Sequence, residues 1–186
     1  MQPKGRLDHE FSREQAKKKT AKTVLKTSQF ESAATAAGLK VMPGKSAVKG
    51  QYQAGITCGP ELSFSASVDI DQNCQAAEPQ ANRWDYGLGL NTRKGEEFAV
   101  WVEPHPASST GEVVKIIAKL DWLVQKLAQP DFKGLETLTQ KSAQAEVPRF
   151  HWLAMTGDIR IRAGSREAAL LSKRGLRLPS RHLVLS

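Results

Sequence analysis

Cysteine is nearly absent from this chain. The two present, Cys58 and Cys74, belong to no CxxC pair and to no Cys/His set with zinc spacing, so a zinc knuckle is excluded and two reduced thiols are expected rather than a disulfide framework. Long apolar runs are also missing. No stretch approaches the ~18 residues needed to cross a bilayer, and the N-terminus, MQPKGRLDHEFSREQAKKK, has no apolar block of the kind that forms the core of a secretion signal. The expectation is a cytoplasmic protein with no membrane segment. Absence of GxxxxGK[ST], HExxH and GxSxG patterns leaves kinase, P-loop and serine-hydrolase readings without support. No repeat or low-complexity tract stands out.

What is there is a globular composition, 40% apolar and 25% charged over 186 residues, enough for one domain with a real core. The net charge of +8 is unevenly spread. Residues 1–50 hold 11 Lys/Arg against 4 Asp/Glu, residues 51–149 hold 9 against 13, and residues 150–186 hold 7 against 2. Basic ends around an acidic middle fit a cation-binding centre approached by a polyanion, whose phosphates would meet Lys17, Lys18, Lys19 and Lys22 at one end and Arg174 and Arg177 at the other. The other reading of KKKTAK is a solvated helix face.

Periodicity outlines the elements. Residues 12–37 read as helix ending at Gly38, the first half a basic arm, and residues 1–50 are set apart as an N-terminal arm and loop before a core at 51–186. A short edge strand is expected at 39–42. ELSFSASVDID alternates Leu62, Phe64, Ala66 and Val68 with polar partners, predicting a strand with one buried face, then a loop. RWDYGLGLNTRKGEEFAVWVEPHPA predicts a hairpin turning near Gly95, its second strand buried on both faces. Val113, Ile116, Ile117, Leu120, Leu123, Val124 and Leu127 form a helical stripe, with Ser109 and Glu112 as a capping box. A second short helix, a strand over 150–157 with DIRIR as its extension or a separate edge, a helix starting at Ser165 and a last strand at RHLVLS complete the chain. The predicted class is α/β (or α+β), with a mixed central sheet flanked by helices.

The hairpin carries the chemistry. Asp85 opens one strand and Glu103 closes the other, and Glu103 follows FAVWV, where a buried carboxylate needs a partner. Two carboxylates on adjacent strands make part of an oxygen shell for magnesium, which in turn suits phosphodiester cleavage. Helix, three strands, helix and strand, with an acid on each arm of the hairpin, resemble the PD-(D/E)xK nuclease superfamily over residues 61–157. That resemblance implies a restriction-endonuclease-like core, Mg²⁺ or Mn²⁺ bound by Asp85, Glu103 and the carbonyl of Pro104, and DNA or RNA as substrate.

This sequence departs from the pattern at the third catalytic position. The triplet is EPH, with His105 where lysine is expected, and Trp84 rather than proline precedes Asp85. Imidazole can take a proton from water or bind metal. A lysine displaced to the following helix is the alternative: Lys115 and Lys119 are one turn apart, and Lys119, nearer the middle of the apolar stripe, is the choice. Asp69 would join the site, or one of Asp69 and Asp71 would cap the following loop; His151 and Trp152 read as core; Trp84, if exposed, would stack on a base. Two rival functions stay open. One is a catalytically degenerate nucleic-acid-binding or regulatory subunit of a larger complex. The other is an interaction or inhibitor protein with an acidic protein partner.

Overall fold

Five strands form one mixed sheet in the computed structural model, which describes residues 27–155 and 157–186. Across it lie β1 (Val41–Pro43), β3 (Leu62–Asp69), β4 (Tyr86–Thr92), β5 (Glu97–His105) and β6 (Phe150–Ala154). All neighbours are antiparallel except β5 and β6. A separate parallel pair joins β2 (Ile56–Cys58) to β7 (Leu183–Leu185). Six α-helices accompany the strands among the described residues: α1 (Gln29–Ala36), α2 (Gly50–Gln53), α3 (Ile70–Cys74), α4 (Gly111–Leu127), α5 (Lys133–Gln144) and α6 (Arg166–Lys173). The protein is therefore α/β, and no helix among these residues is long and apolar enough to cross a membrane. Cys58 and Cys74 are both free thiols.

Strand β5 is buried along nearly its whole length because it has a core on each side. Ala99 and Trp101 face the helices, packing with Ile116, Leu120 and Leu123 of α4. Phe98, Val100 and Val102 face Ile56, Leu183 and Leu185. Period-two alternation along β3 stops partway. A bulge between Phe64 and Ser67 shifts its pairing with β4, so Leu62 and Phe64 pack with the second core whereas Ala66 and Val68 belong to the first. The single buried face expected for this strand is thus two half-faces. Ser67, turned by the bulge, accepts a hydrogen bond from Ala47 N at 3.0 Å.

Helix α1 starts at Ser28, whose hydroxyl accepts from Glu31 N, and stops at Gly38, where φ is +73°. It lies against the sheet with Phe30 and Ala34 fully buried, and β1 pairs with β3, so residues 28–43 share the core rather than forming an appendage. Lys17, Lys18, Lys19 and Lys22 lie outside the described residues.

Four further expectations are corrected. The segment after β3 begins as helix α3 rather than loop, capped by Asp69, which accepts from Gln72 N at 2.8 Å. Ser109 and Glu112 form no side-chain capping box, since the Glu112 carboxylate is drawn to His105. Val124, assigned to the buried stripe of α4, is 49% exposed. Strand β6 ends at Ala154, and DIRIR is not a strand; it passes beside the end of β5, where Arg160 N donates to Ala107 O at 2.9 Å.

Candidate active site

Two simple spacings build the site. On β5, Glu103 and His105 are two residues apart and project to the same face, the one occupied by α4. On α4, Glu112 and Lys119 are seven residues, about two turns, apart and share one side of the helix. A short loop joins strand to helix, so the helix runs back along the strand and the pairs meet in reverse order. His105 Nε2 lies 2.8 Å from Glu112 Oε2, and Lys119 Nζ donates to Glu103 Oε1.

Asp85 enters from the neighbouring strand. The register pairs Tyr86 with Val102, which sets Asp85 beside Glu103 at the open end of the hairpin. Asp85 N donates to Glu103 Oε2 at 2.9 Å, its carbonyl accepts from Ile70 N at 2.9 Å, and its carboxylate accepts from Lys119 Nζ at 3.1 Å. One ammonium therefore bridges two carboxylates carried by adjacent strands. Pro104 lies between Glu103 and His105. Trp101 N and His105 O both bond toward β6, so strand alternation turns the Pro104 carbonyl to the other side of β5, the side of β4.

Burial governs the charges. Glu103 has no exposed surface, and its carboxyl is pushed up to about 8, first by burial and then by Asp85, against the pull of Lys119. Burial draws the Lys119 ammonium down, but Glu103 and Asp85 outweigh it and hold it above the ordinary lysine range. His105 is lowered by burial despite Glu112. Because the Glu112 carboxylate only accepts, Nε2 carries the imidazole proton and Nδ1 keeps its lone pair, 3.8 Å from Glu103 Oε1. Trp152 supports the ring from beneath, with centroids 6.4 Å apart, and its indole N–H donates to His105 O at 3.0 Å. Removing the carboxylate in Glu112→Gln should lower the His105 pKa further, measurable by NMR titration of the ring protons; an unchanged value would mean the pair does not form.

The donor set suits magnesium only in its sparse form. Among the described residues no three His, Cys, Asp or Glu side chains cluster closely enough to hold a metal ion. Two carboxylates that share one ammonium could supply only part of a shell, leaving the rest to waters and substrate oxygens. Asp69 is near enough to Asp85 to feel its charge, though burial is the larger cause of its raised pKa, and its carboxylate is spent on the α3 cap.

Other candidates are placed elsewhere. Trp84 is corrected from base-stacking residue to core: it is fully buried, edge-on to Phe150 at 6.3 Å, and its indole N–H has no hydrogen-bond partner among the described residues. Arg174 is held by Asp121 on α4, and Arg177 is exposed; neither is bonded to the carboxylate pair. Lys115 is 64% exposed and pairs with Glu112, leaving Lys119 as the lysine that reaches both acids. His151 is buried, bonded to Pro148 O at 2.7 Å and lowered to about 4 by burial. Glu112 is the residue that sequence reading missed as part of the site. Its seven-residue spacing to Lys119 was the available signal.

These features define an α/β protein with a partly buried two-carboxylate, one-lysine cluster at a sheet end. No protein-family model, curated protein or solved structure matches the chain.

Proposed function

We propose that this chain is a divalent-metal-dependent nuclease with a restriction-endonuclease-like core, acting on DNA or RNA phosphodiesters at Asp85, Glu103, Lys119 and His105. The observation that carries the reading is Lys119. Displaced to α4, it reaches both hairpin carboxylates, supplying the ammonium that the EPH triplet lacks. A Mg²⁺ or Mn²⁺ ion would neutralise developing charge on phosphate and lower the pKa of water. Asp85 and Glu103 would hold it, with the Pro104 carbonyl beside them. Lys119 would hold a water or a phosphate oxygen next to the pair. His105, fixed through Nε2 by Glu112, offers Nδ1 as a proton acceptor toward the same space.

The expected result is cleavage of plasmid or single-stranded substrate that requires Mg²⁺ or Mn²⁺ and stops on chelation. Lys119→Met should lower the rate by about 10²–10⁴-fold. A thermal melt of the variant separates lost chemistry from lost folding; a folded Lys119→Met that cuts at the wild-type rate would remove lysine from the mechanism. The second reading, a degenerate site that binds nucleic acid without cutting, draws on the same ammonium. Lys119 pairs with both acids without a metal, and no third acidic or imidazole ligand completes a shell among the described residues. Salt-dependent binding with no cleavage in either ion would select it.

A further inference from the structure

We infer that a cavity at the carboxyl end of β6 seats one unpaired nucleotide of the substrate strand, next to the acidic site, so that this protein prefers single-stranded nucleic acid or a frayed end. The inference rests on the phosphodiester reading and adds a substrate class to it. The cavity, of about 610 Å³, is lined by Tyr52, Gly55, Leu153, Met155, Arg181 and His182 among others. That volume is in the range of small-molecule sites.

Its position follows from the sheet. Strands β5 and β6 are parallel, with His105 opposite Ala154, and Met155 N donates to His105 O at 3.2 Å. Adjacent strands lie about 4.8 Å apart, so the cavity wall begins one strand away from the site. Leu153 packs with the second core, on the face opposite Glu103, so site and cavity approach the same sheet end from its two sides. Tyr86 lies between them. It follows Asp85 in sequence but packs with the second core, against which Tyr52 also lies, and its hydroxyl is buried with no hydrogen-bond partner among the described residues.

The lining suits a base with a phosphate attached. Half-buried Tyr52 offers an aromatic surface, and its hydroxyl reaches only the weakly accepting Met155 sulfur, at 3.9 Å, among the described residues. Arg181 is exposed, anchored by one bond to Gly157 O, and has donors left for a phosphate. A side chain at Gly55 would come within 3.1 Å of Arg181 O and of Leu153, so glycine there leaves the backbone close to the opening. Among the described residues no carboxylate lines the cavity. Outside the cavity, on the side of the first core, the loop beside the end of β5 carries exposed Arg160 and Arg162, and it is tied there by the bond from Arg160 N to Ala107 O. A cation beside an aromatic wall, here Arg181 and Tyr52, is the pairing used for single strands, which present both phosphates and open base faces.

The test is fluorescence anisotropy with a labelled single-stranded oligonucleotide and a blunt duplex of the same sequence, in Ca²⁺, on wild type, Tyr52→Leu and Arg181→Glu. Each variant should bind the single strand roughly tenfold or more weakly while its duplex affinity falls less. Unchanged single-strand binding in both variants, equal losses on both substrates, or a wild type that favours the duplex would overturn the inference. Arg181→Glu alters an exposed position, so its result stands even if Tyr52→Leu folds poorly. Cleavage is measured separately. A wild type that cuts while both variants bind normally removes the cavity alone; a wild type that never cuts but shows the selective loss removes the nuclease reading alone.

Discussion

Glu103→Gln is expected to be more stable than wild type at alkaline pH and to cleave nothing. The Glu103 carboxyl titrates at about 8 in the folded protein against 4.5 for a free side chain. Between those values the folded state keeps a proton that the unfolded state has released, so stability is present at low pH and is lost as pH rises through 8. The slope across this window should approach about 1.4 kcal/mol per pH unit. Glutamine is neutral throughout, and its one amide oxygen can still accept from Asp85 N or from Lys119, though not from both. Urea unfolding at pH 6 and pH 9 should therefore show a smaller loss for the variant, whereas parallel losses would mean that Glu103 is ionised at both. A buried acid that weakens the fold is the kind of cost found at functional sites.

Gly89→Ala should be among the most damaging single-methyl changes in the protein. A Cβ at this position in β4 would come within 2.5 Å of Ser65 Oγ and 2.6 Å of Phe30 Cβ, and Phe30 is fully buried. Ser65 cannot simply rotate away, since its hydroxyl donates to Glu97, and Glu97 also accepts from Gln29 N at the start of α1. The methyl must push α1 off the sheet or strain the strand, at a cost of about 1–3 kcal/mol. That corresponds to roughly 2–4 °C in melting temperature per kcal/mol for a chain of this size. A calorimetric melt checks it, and an unchanged Tm would show that α1 does not press on Gly89.

Much of the site was legible because its spacings are local. Asp85 and Glu103 stand at the ends of two clear apolar runs, and Lys119 lies on the flank of a strong amphipathic stripe. Glu112 was misread because S-x-x-E satisfies a cap pattern, while the better partner, His105, lies across a turn whose geometry is not written in residue spacing. Trp84 shows the same limit: the start of a strand does not reveal whether a helix will cover it. The bulge in β3 was hidden because LSFSASVD alternates without interruption, and only its pairing with β4 exposes the slip. DIRIR alternates too, yet it packs against the loop after β5 instead of entering the sheet. Local pattern therefore placed the acids and the helix; long-range pairing decided which side chains reached them.

The most direct measurement of the central claim is divalent-ion-dependent cleavage by wild type, Asp85→Asn and Glu103→Gln, each first shown to be folded by its melt. Turnover in Mg²⁺ or Mn²⁺ by wild type, absent from both variants, is the predicted result. Cleavage at the wild-type rate in both folded variants would contradict the assignment of Asp85 and Glu103 as the metal-holding pair.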